Sequence, residues 1–196
     1  QLPLNEVMRS DGVLDALDRI QAEGLTEFVG FTALGDASAC RAVVQSGRVD
    51  TAQVYYNLIN PSAGCDIKGH WHSEDYTGLL NACQQSDVGV LGIRVYAAGI
   101  LASRVRHGRE IPVTRNSDYD SELKRADMVR EVLAEMDGSD AQKALRFVLD
   151  QDAIHGAVIG LAELSHLKEA IEATQMSPLS NSVTEALQAL WNRNYC

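Results

Sequence analysis

Amphipathic helical segments alternate with short apolar runs rich in β-branched residues along the whole chain, and this alternation restricts the fold most. Strands are predicted at Leu25–Phe31, Thr51–Leu58, Val88–Tyr96 and His155–Gly160. Nearly continuous apolar strands joined by helices form parallel sheets covered by helices, so the predicted class is α/β. The pattern alone leaves two architectures open, a doubly wound sheet and part of a (β/α)8 barrel.

Helices are predicted between and after these strands. The first has Asp11 as its candidate cap and Gly24 just past its end. The second begins at Asp36 or Ser38 and closes near Gly47. The others are predicted at Asp75–Gln85, Ser121–Glu135, Asp140–Leu149 and Glu163–Ala173, with a last helix ending near Asn192. The polar stretch from Ala97 to Asp120 is too long for an ordinary connection, which predicts a functional loop.

Composition excludes several classes of partner. The net charge is −10, from 27 acidic against 17 basic residues. An acidic surface repels phosphate backbones and anionic lipids, so we expect neither nucleic acid nor a membrane surface as a partner. The four cysteines are irregularly spaced, without a C-x-x-C pair, which is typical of a protein of the reducing cytoplasm.

Two clusters of polar residues have alternative interpretations. One has ligand types for zinc but not the spacing of common zinc sites, so no metal site is predicted; it consists of Cys65, Asp66, His70 and His72. The other is a basic run that contacts an anionic cofactor or substrate or, alternatively, is a solvated loop; it consists of Arg104, Arg106, His107 and Arg109.

Four segments in order resemble the aldo/keto reductase family. GLTEFVGFTALGD, TAQVYYNLIN and VGVLGIRVYAAGIL are similar to the family's strands five, six and seven, and ALRFVLDQDAIHGAVIGLAELSHLKEAIEA is similar to its closing unit. The resemblance implies a (β/α)8 TIM barrel, of which residues 1–196 form the C-terminal four βα units plus extra helices. In such a barrel the site lies at the carboxyl ends of the strands.

The resemblance implies contacts to a nicotinamide cofactor, NAD or NADP. Thr32 and Gln53 match positions that bond the carboxamide of the ring in the family; the alternatives are a β-branched strand residue and a core glutamine. Ala33 stands where the family has Asn. Arg94 lies near the position of the aromatic residue that stacks under the nicotinamide, from which Tyr96 is offset. Arg94 packs on the ring or, equally, is an ion-paired barrel residue.

The stretch from Gly99 through Leu101 to Ser103 matches the loop that passes the cofactor diphosphate, where small residues allow backbone N–H groups to approach phosphate. A simple turn is the alternative. Gly160 precedes a helix whose N-terminus is expected to face the adenosine phosphates. Glu169 matches an acid that contacts adenine, or is a solvated helix residue, and Ala170 stands where the family has Asn.

Positions that often carry a base for the 2′-phosphate of NADP hold Leu161, Ala162 and Glu163. An acid there repels that phosphate and prefers a ribose hydroxyl. This favours NAD, or weakened binding of either cofactor. His166 is the only candidate cation nearby.

No catalytic residue of the family is assigned to this chain. The resemblance places the proton-donating Tyr and its Lys, Asp and His partners in the first four βα units, and the chain opens as QLPLNEVMRS without an initiator Met, so we expect it to begin inside a domain. The chain alone is then expected to be inactive. Its open sheet edges predict pairing with the N-terminal half or with a second copy.

Two functions remain open. The first is reduction of an aldehyde or ketone by NAD(P)H, or oxidation of the alcohol, with this chain supplying the parts that bind cofactor. The second is a non-catalytic module, derived from a barrel, that binds nucleotide or a protein partner.

Overall fold

The computed structural model describes residues 2–68, 71, 74–104 and 118–195 and is built on a parallel sheet of four strands. The strands are β1 (Gly30–Ala33), β2 (Thr51–Tyr55), β3 (Gly89–Ile93) and β4 (Gly156–Ala157). They lie side by side in chain order. A doubly wound sheet reverses its strand order, whereas a barrel does not, so the sequential order resolves the two architectures in favour of the barrel arrangement.

Helices cover one face of this sheet. The helices of the described residues are α1 (Leu4–Met8), α2 (Val13–Ala22), α3 (Ala37–Gln45), α4 (Leu79–Gln85), α5 (Tyr119–Val132), α6 (Asp140–Leu149), α7 (Leu164–Gln175) and α8 (Asn181–Asn192). Among them, α4 packs on β2 and β3, and α6 packs on β4. Alternate strand residues such as Ala52, Val54 and Val90 are buried beneath the helices. Gln53 and Leu91, on the other face, are half-buried. Period-two alternation therefore separates a helix-covered face from a face that corresponds to a barrel interior.

The strands are shorter than predicted. The first was expected over Leu25–Phe31, but β1 begins at Gly30, and Leu25 and Phe28 are 71% and 63% exposed. The apolar composition of this segment is typical of a buried strand, but the backbone around Leu25 and Phe28 is not part of the sheet. The other three strands end earlier than predicted, because their last predicted residues belong to the loops that follow them.

Helix boundaries follow local capping chemistry. Asp36 accepts a hydrogen bond from the N–H of Ala39 at 2.7 Å, as expected of a cap. The prediction of Asp11 as a cap was wrong, because Gly12 occupies that position and the Asp11 N–H donates to Asp15 instead. The helix predicted from Asp75 begins only at Leu79, because the Asp75 carboxylate forms a local turn with Thr77.

The last helix is anchored to the loop that follows β2. The carbonyl oxygen of Leu58 accepts hydrogen bonds from Trp191 Nε1 at 3.0 Å and from the Tyr195 hydroxyl at 3.2 Å. The Trp191 ring also packs against Phe147 of α6, with ring centroids 5.7 Å apart. These contacts close the helical layer over the sheet. Among the described residues, none of the helices has the length and apolar character to span a membrane.

Candidate functional site

A cavity of about 560 Å³ opens at the carboxyl ends of β3 and β4. Its walls come from the loop after β3, the loop after β4, the first turns of α7 and Ala141 of α6. Carboxyl ends of parallel strands are where barrel enzymes build their sites, so the position is the expected one. The predicted site residues that line the cavity are Arg94, Gly99, Ser103, Gly160 and Glu169.

The loop after β3 turns sharply through left-handed backbone. Arg94, Ala97 and Ala98 have φ of +62°, +46° and +58°, and Gly99 has φ of +98°. The Arg94 carbonyl is held by the Ala97 N–H at 2.8 Å and by Asn57 Nδ2 at 2.9 Å. Non-glycine residues adopt this conformation at an energetic cost, so they keep it only where surrounding contacts enforce it. The neighbouring β2 loop therefore helps to shape the cavity wall.

Replacing Ala98 with glycine is expected to stabilise the fold by about 0.5–1 kcal/mol, because glycine removes the clash of Cβ in left-handed backbone. Chemical denaturation of the wild-type chain and of Ala98→Gly measures the difference. Ala102→Gly is the matched control, since Ala102 lies in the same loop without a positive φ. That control is expected to lose stability, as it only frees the unfolded chain. A loss of stability in Ala98→Gly would contradict the inference that the backbone of Ala98 is strained.

A buried arginine of α5 also stabilises the loop after β3. The guanidinium of Arg130 in α5 donates to Asp140 at 2.7 Å, to Asp127 at 2.9 Å and to the carbonyl oxygen of Ile100. Arg130 is buried. One planar group with several donors can satisfy all three acceptors at once. It joins α5, α6 and the cavity loop into one unit.

The opposite wall comes from the loop after β4 and the start of α7. Gly160 is exposed, and a Cβ placed there would meet no atom within 4 Å. Leu161, Ala162 and His166 line the cavity beside it. His166 Nδ1 accepts a hydrogen bond from the Ala162 N–H at 3.4 Å, which leaves Nε2 as the donor nitrogen.

Glu169 faces the cavity but already has a protein partner. Its carboxylate accepts a hydrogen bond from the hydroxyl of Ser139, the cap of α6, and its carbonyl oxygen accepts from Gln142 Nε2 at 3.4 Å. These bonds tie α7 to the start of α6. The contact gives Glu169 a structural role, whichever ligand the cavity takes.

Thr32 and Gln53 lie outside the residues that line this cavity and contact each other instead. They are cross-strand neighbours in the parallel register of β1 and β2, and the Thr32 hydroxyl donates to Gln53 Oε1 at 3.0 Å. With its oxygen engaged, Gln53 presents its amide nitrogen as a donor. Leu101 does not line the cavity, since its side chain is buried in the core.

The structure adds Tyr96 to the cavity, although its sequence position is offset from the family pattern. Burial, reinforced by the negative charge of Glu169, raises the pKa of the Tyr96 phenol above its usual range. The ring is therefore neutral at physiological pH and offers an aromatic face and a hydroxyl. Val158 and Ile159 also line the cavity, and only their position directly after a strand signals this in the sequence.

The two polar clusters of the sequence fall largely outside the described residues, which exclude His70, His72, Arg106, His107 and Arg109. Cys65 is described, and its sulfur lies 3.7 Å from the Tyr56 hydroxyl. Arg104 is described too, and its side chain lies 3.9 Å from Asp127. Within the described ranges, no group of three or more His, Cys, Asp or Glu side chains is placed to hold a metal ion.

Solved structures share this arrangement. One is an aldo-keto reductase, AKR11C1 from Bacillus halodurans, in its holo form; it aligns with a TM-score of 0.68 at 18% identity, over 92% of this chain and 56% of that one. Its apo form aligns with a TM-score of 0.68 at 17% identity, over 94% and 58%. An aldo-keto reductase from Klebsiella pneumoniae in complex with NADPH aligns with a TM-score of 0.60 at 22% identity, over 98% and 55%.

The chain thus spans little more than half the length of these relatives. No curated protein sequence matches it. The sequence profile described as the aldo/keto reductase family matches residues 2–192, nearly the whole chain. With a parallel sheet in sequential order and a cavity at its carboxyl edge, this match shows that the chain belongs to the aldo/keto reductase family.

Proposed function

We propose that this chain forms the cofactor-binding part of an NAD(P)H-dependent oxidoreductase that interconverts a small carbonyl compound and its alcohol. The cavity at the carboxyl ends of β3 and β4 carries the proposal, because its size and lining suit part of a dinucleotide. Gly99, Ser103 and Gly160 offer close backbone approach to phosphate, and Tyr96 offers a flat aromatic face. The NADPH bound by the Klebsiella pneumoniae relative supports the same class of ligand.

We propose further roles for the polar pair on β1 and β2. Gln53 would donate its amide N–H to the oxygen of the nicotinamide carboxamide, with Thr32 holding the glutamine in that orientation. Arg94 is half-buried directly after β3 and lines the cavity. Its charge would attract the diphosphate, or its plane would pack on the nicotinamide ring. The cofactor itself supplies the hydride.

Charge at the mouth of the cavity favours NADH over NADPH. Leu161 and Ala162 are uncharged, and Glu163 follows them with an exposed side chain. The 2′-phosphate of NADPH would add negative charge beside this acid, in a segment where His166 is the lining residue that can donate a hydrogen bond to it. We therefore propose NADH as the preferred cofactor, by the repulsion between like charges.

Isothermal titration calorimetry of the purified chain tests this proposal. We expect saturable binding of NADH, weaker binding of NADPH, and a smaller difference between them in Glu163→Lys. Gly160→Phe is expected to abolish binding of both, because its ring would occupy space that is open in the wild type. Ala189→Phe is the matched control, since it adds the same ring at an exposed site on α8.

Failure of the wild-type chain to bind either cofactor, or equal binding by Gly160→Phe, would contradict the proposal. Binding of a protein partner without nucleotide would favour the non-catalytic module.

We propose that the reaction itself depends on the Tyr, Lys, Asp and His of the family pattern, for which no residue of this chain is a candidate. NADH-dependent turnover by the 196-residue chain alone would overturn that part.

A further inference from the structure

Two buried asparagines, Asn57 and Asn60, lie in the loop that follows β2. Their backbones form an isolated antiparallel bridge. The Asn57 N–H donates to the Asn60 carbonyl oxygen at 3.2 Å, and the Asn60 N–H donates to the Asn57 carbonyl oxygen at 3.1 Å. The bridge uses backbone groups, so the two side-chain amides can bond to other parts of the chain.

The side chain of Asn57 joins the loop after β2 to the loop after β3. Its Oδ1 accepts hydrogen bonds within its own loop, from the N–H groups of Ile59 and Asn60 at 3.0 and 2.9 Å. Its Nδ2 donates across to the carbonyl oxygen of Arg94 at 2.9 Å. One buried amide therefore fixes its own loop and the first residue after β3 together.

The carbonyl that Asn57 holds belongs to a residue with left-handed backbone. Arg94 has φ of +62° and lines the cavity. A non-glycine residue keeps that conformation only where contacts enforce it. Tyr96 and Gly99 follow in the same cavity wall. A change in the backbone at Arg94 would displace both of them, because the direction of the loop is set at its first turn.

Asn57 does not reach the cavity itself. It is 0% exposed and is not among the residues that line the cavity. The next residue, Leu58, is held through its carbonyl oxygen by Trp191 and Tyr195, so the amide stands on a fixed base. Any effect of Asn57 on a ligand must therefore pass through the backbone of Arg94.

We propose that Asn57 is a positioning residue for the cofactor, which it does not touch. By holding the Arg94 carbonyl, it sets the cavity wall from Arg94 to Ser103, and this role rests on the proposed function of the cavity. The preference between NADH and NADPH is proposed to depend on Glu163, on the opposite wall. Asn57 is therefore expected to affect the binding of both cofactors equally.

Asn60 provides a matched control three residues away. Its Oδ1 accepts from the N–H and the hydroxyl of Ser62 at 3.3 and 2.7 Å, and its Nδ2 donates to the carbonyl oxygen of Glu74 at 2.9 Å. Neither Ser62 nor Glu74 lines the cavity. Asn60→Ala therefore removes the same kinds of hydrogen bond as Asn57→Ala, from the same loop, without releasing the cavity wall.

Titration calorimetry and urea denaturation of the wild-type chain, Asn57→Ala and Asn60→Ala test the proposal. Both variants are expected to lower the urea midpoint by similar amounts. Asn57→Ala alone is expected to weaken NADH binding, by about tenfold, and NADPH binding by the same factor. Without cofactor, hydrogen exchange over residues 94–103 is expected to be faster in Asn57→Ala and unchanged in Asn60→Ala.

A milder pair of variants serves if the alanine variants do not fold, which circular dichroism checks. Asn57→Asp keeps an acceptor oxygen for Ile59 and Asn60 and removes the N–H that donates to Arg94. At about pH 8 the introduced carboxylate has no proton to donate, so the same loss of affinity is expected. Asn60→Asp is its control.

Equal NADH affinity in the wild-type chain and Asn57→Ala would overturn the positioning role and leave the proposed function intact. Equal weakening by Asn57→Ala and Asn60→Ala would also overturn it, because the effect would then follow from stability. No binding by the wild-type chain would overturn the proposed function and, with it, the role in cofactor binding. Faster exchange over residues 94–103 in Asn57→Ala would still show that Asn57 orders the loop, which distinguishes the two failures.

Discussion

Replacement of Trp191 by alanine is expected to lower the free energy of unfolding by about 3–5 kcal/mol. Trp191 is 1% exposed, and its ring packs against Phe147. Its indole N–H donates to the carbonyl oxygen of Leu58 at 3.0 Å. Alanine would leave a large cavity beneath α8 and remove one of the two donors to that carbonyl. Urea denaturation followed by circular dichroism measures the loss.

The variant Trp191→Phe separates packing from hydrogen bonding. Phenylalanine keeps most of the apolar volume and removes the indole N–H, so we expect a smaller loss of about 1–2 kcal/mol. Tyr195 still donates to the Leu58 carbonyl in that variant. Equal losses in the two variants would show that the hydrogen bond, not the packing, carries the effect.

The second large effect is expected at Arg130. Replacement by methionine keeps the length of the side chain but removes its charge and its donors, and we expect a loss of about 2–4 kcal/mol. The reason is that Asp140, Asp127 and the carbonyl of Ile100 lose a shared partner. The largest part of this loss of stability is expected from the Ile100 carbonyl, because Ile100 is buried and its carbonyl would lose its donor. Thermal and urea denaturation measure the change.

The loop after β3 gives a second measurement for this variant. Gly99 lines the cavity, and Ile100 is the next residue in the same loop. Arg130→Met is therefore also expected to weaken NADH binding and to speed hydrogen exchange in residues 97–104. Arg104→Met is the matched control for stability, because Arg104 also approaches Asp127 but is exposed. Equal effects of the two substitutions would contradict a special role for the buried guanidinium.

Much of the architecture follows from the pattern of the sequence. The predicted strands and helices occur in the predicted order, although α1 was not predicted. The start of α6 at Asp140 is as predicted, because Ser139 and Gln142 form a capping box that is visible in the sequence. The position of β1 was not predictable. Leu25 and Phe28 have the composition of a buried strand but are exposed, and composition cannot tell a side chain that faces the core from one that faces outwards.

The site was predictable in part, for a similar reason. Residues at strand ends could be found, and Arg94, Gly99 and Gly160, which were expected to contact the cofactor, line one cavity. Their contact with a cofactor stays a prediction. The hydrogen bond between Thr32 and Gln53 depends on strand register, which the sequence does not reveal. The engagement of Glu169 by Ser139 depends on how α7 packs on α6. Such tertiary contacts decide what each side chain has left to offer a ligand.

The two hydrogen bonds to Leu58 also bear on the order in which the molecule assembles. The donors lie 133 and 137 residues further along the chain. During synthesis the loop after β2 emerges from the ribosome long before either donor exists. Contacts across such separations form late, since the intervening chain must be ordered first. The β2 loop is therefore exposed to chaperones and proteases until α8 has been synthesised and has packed against it.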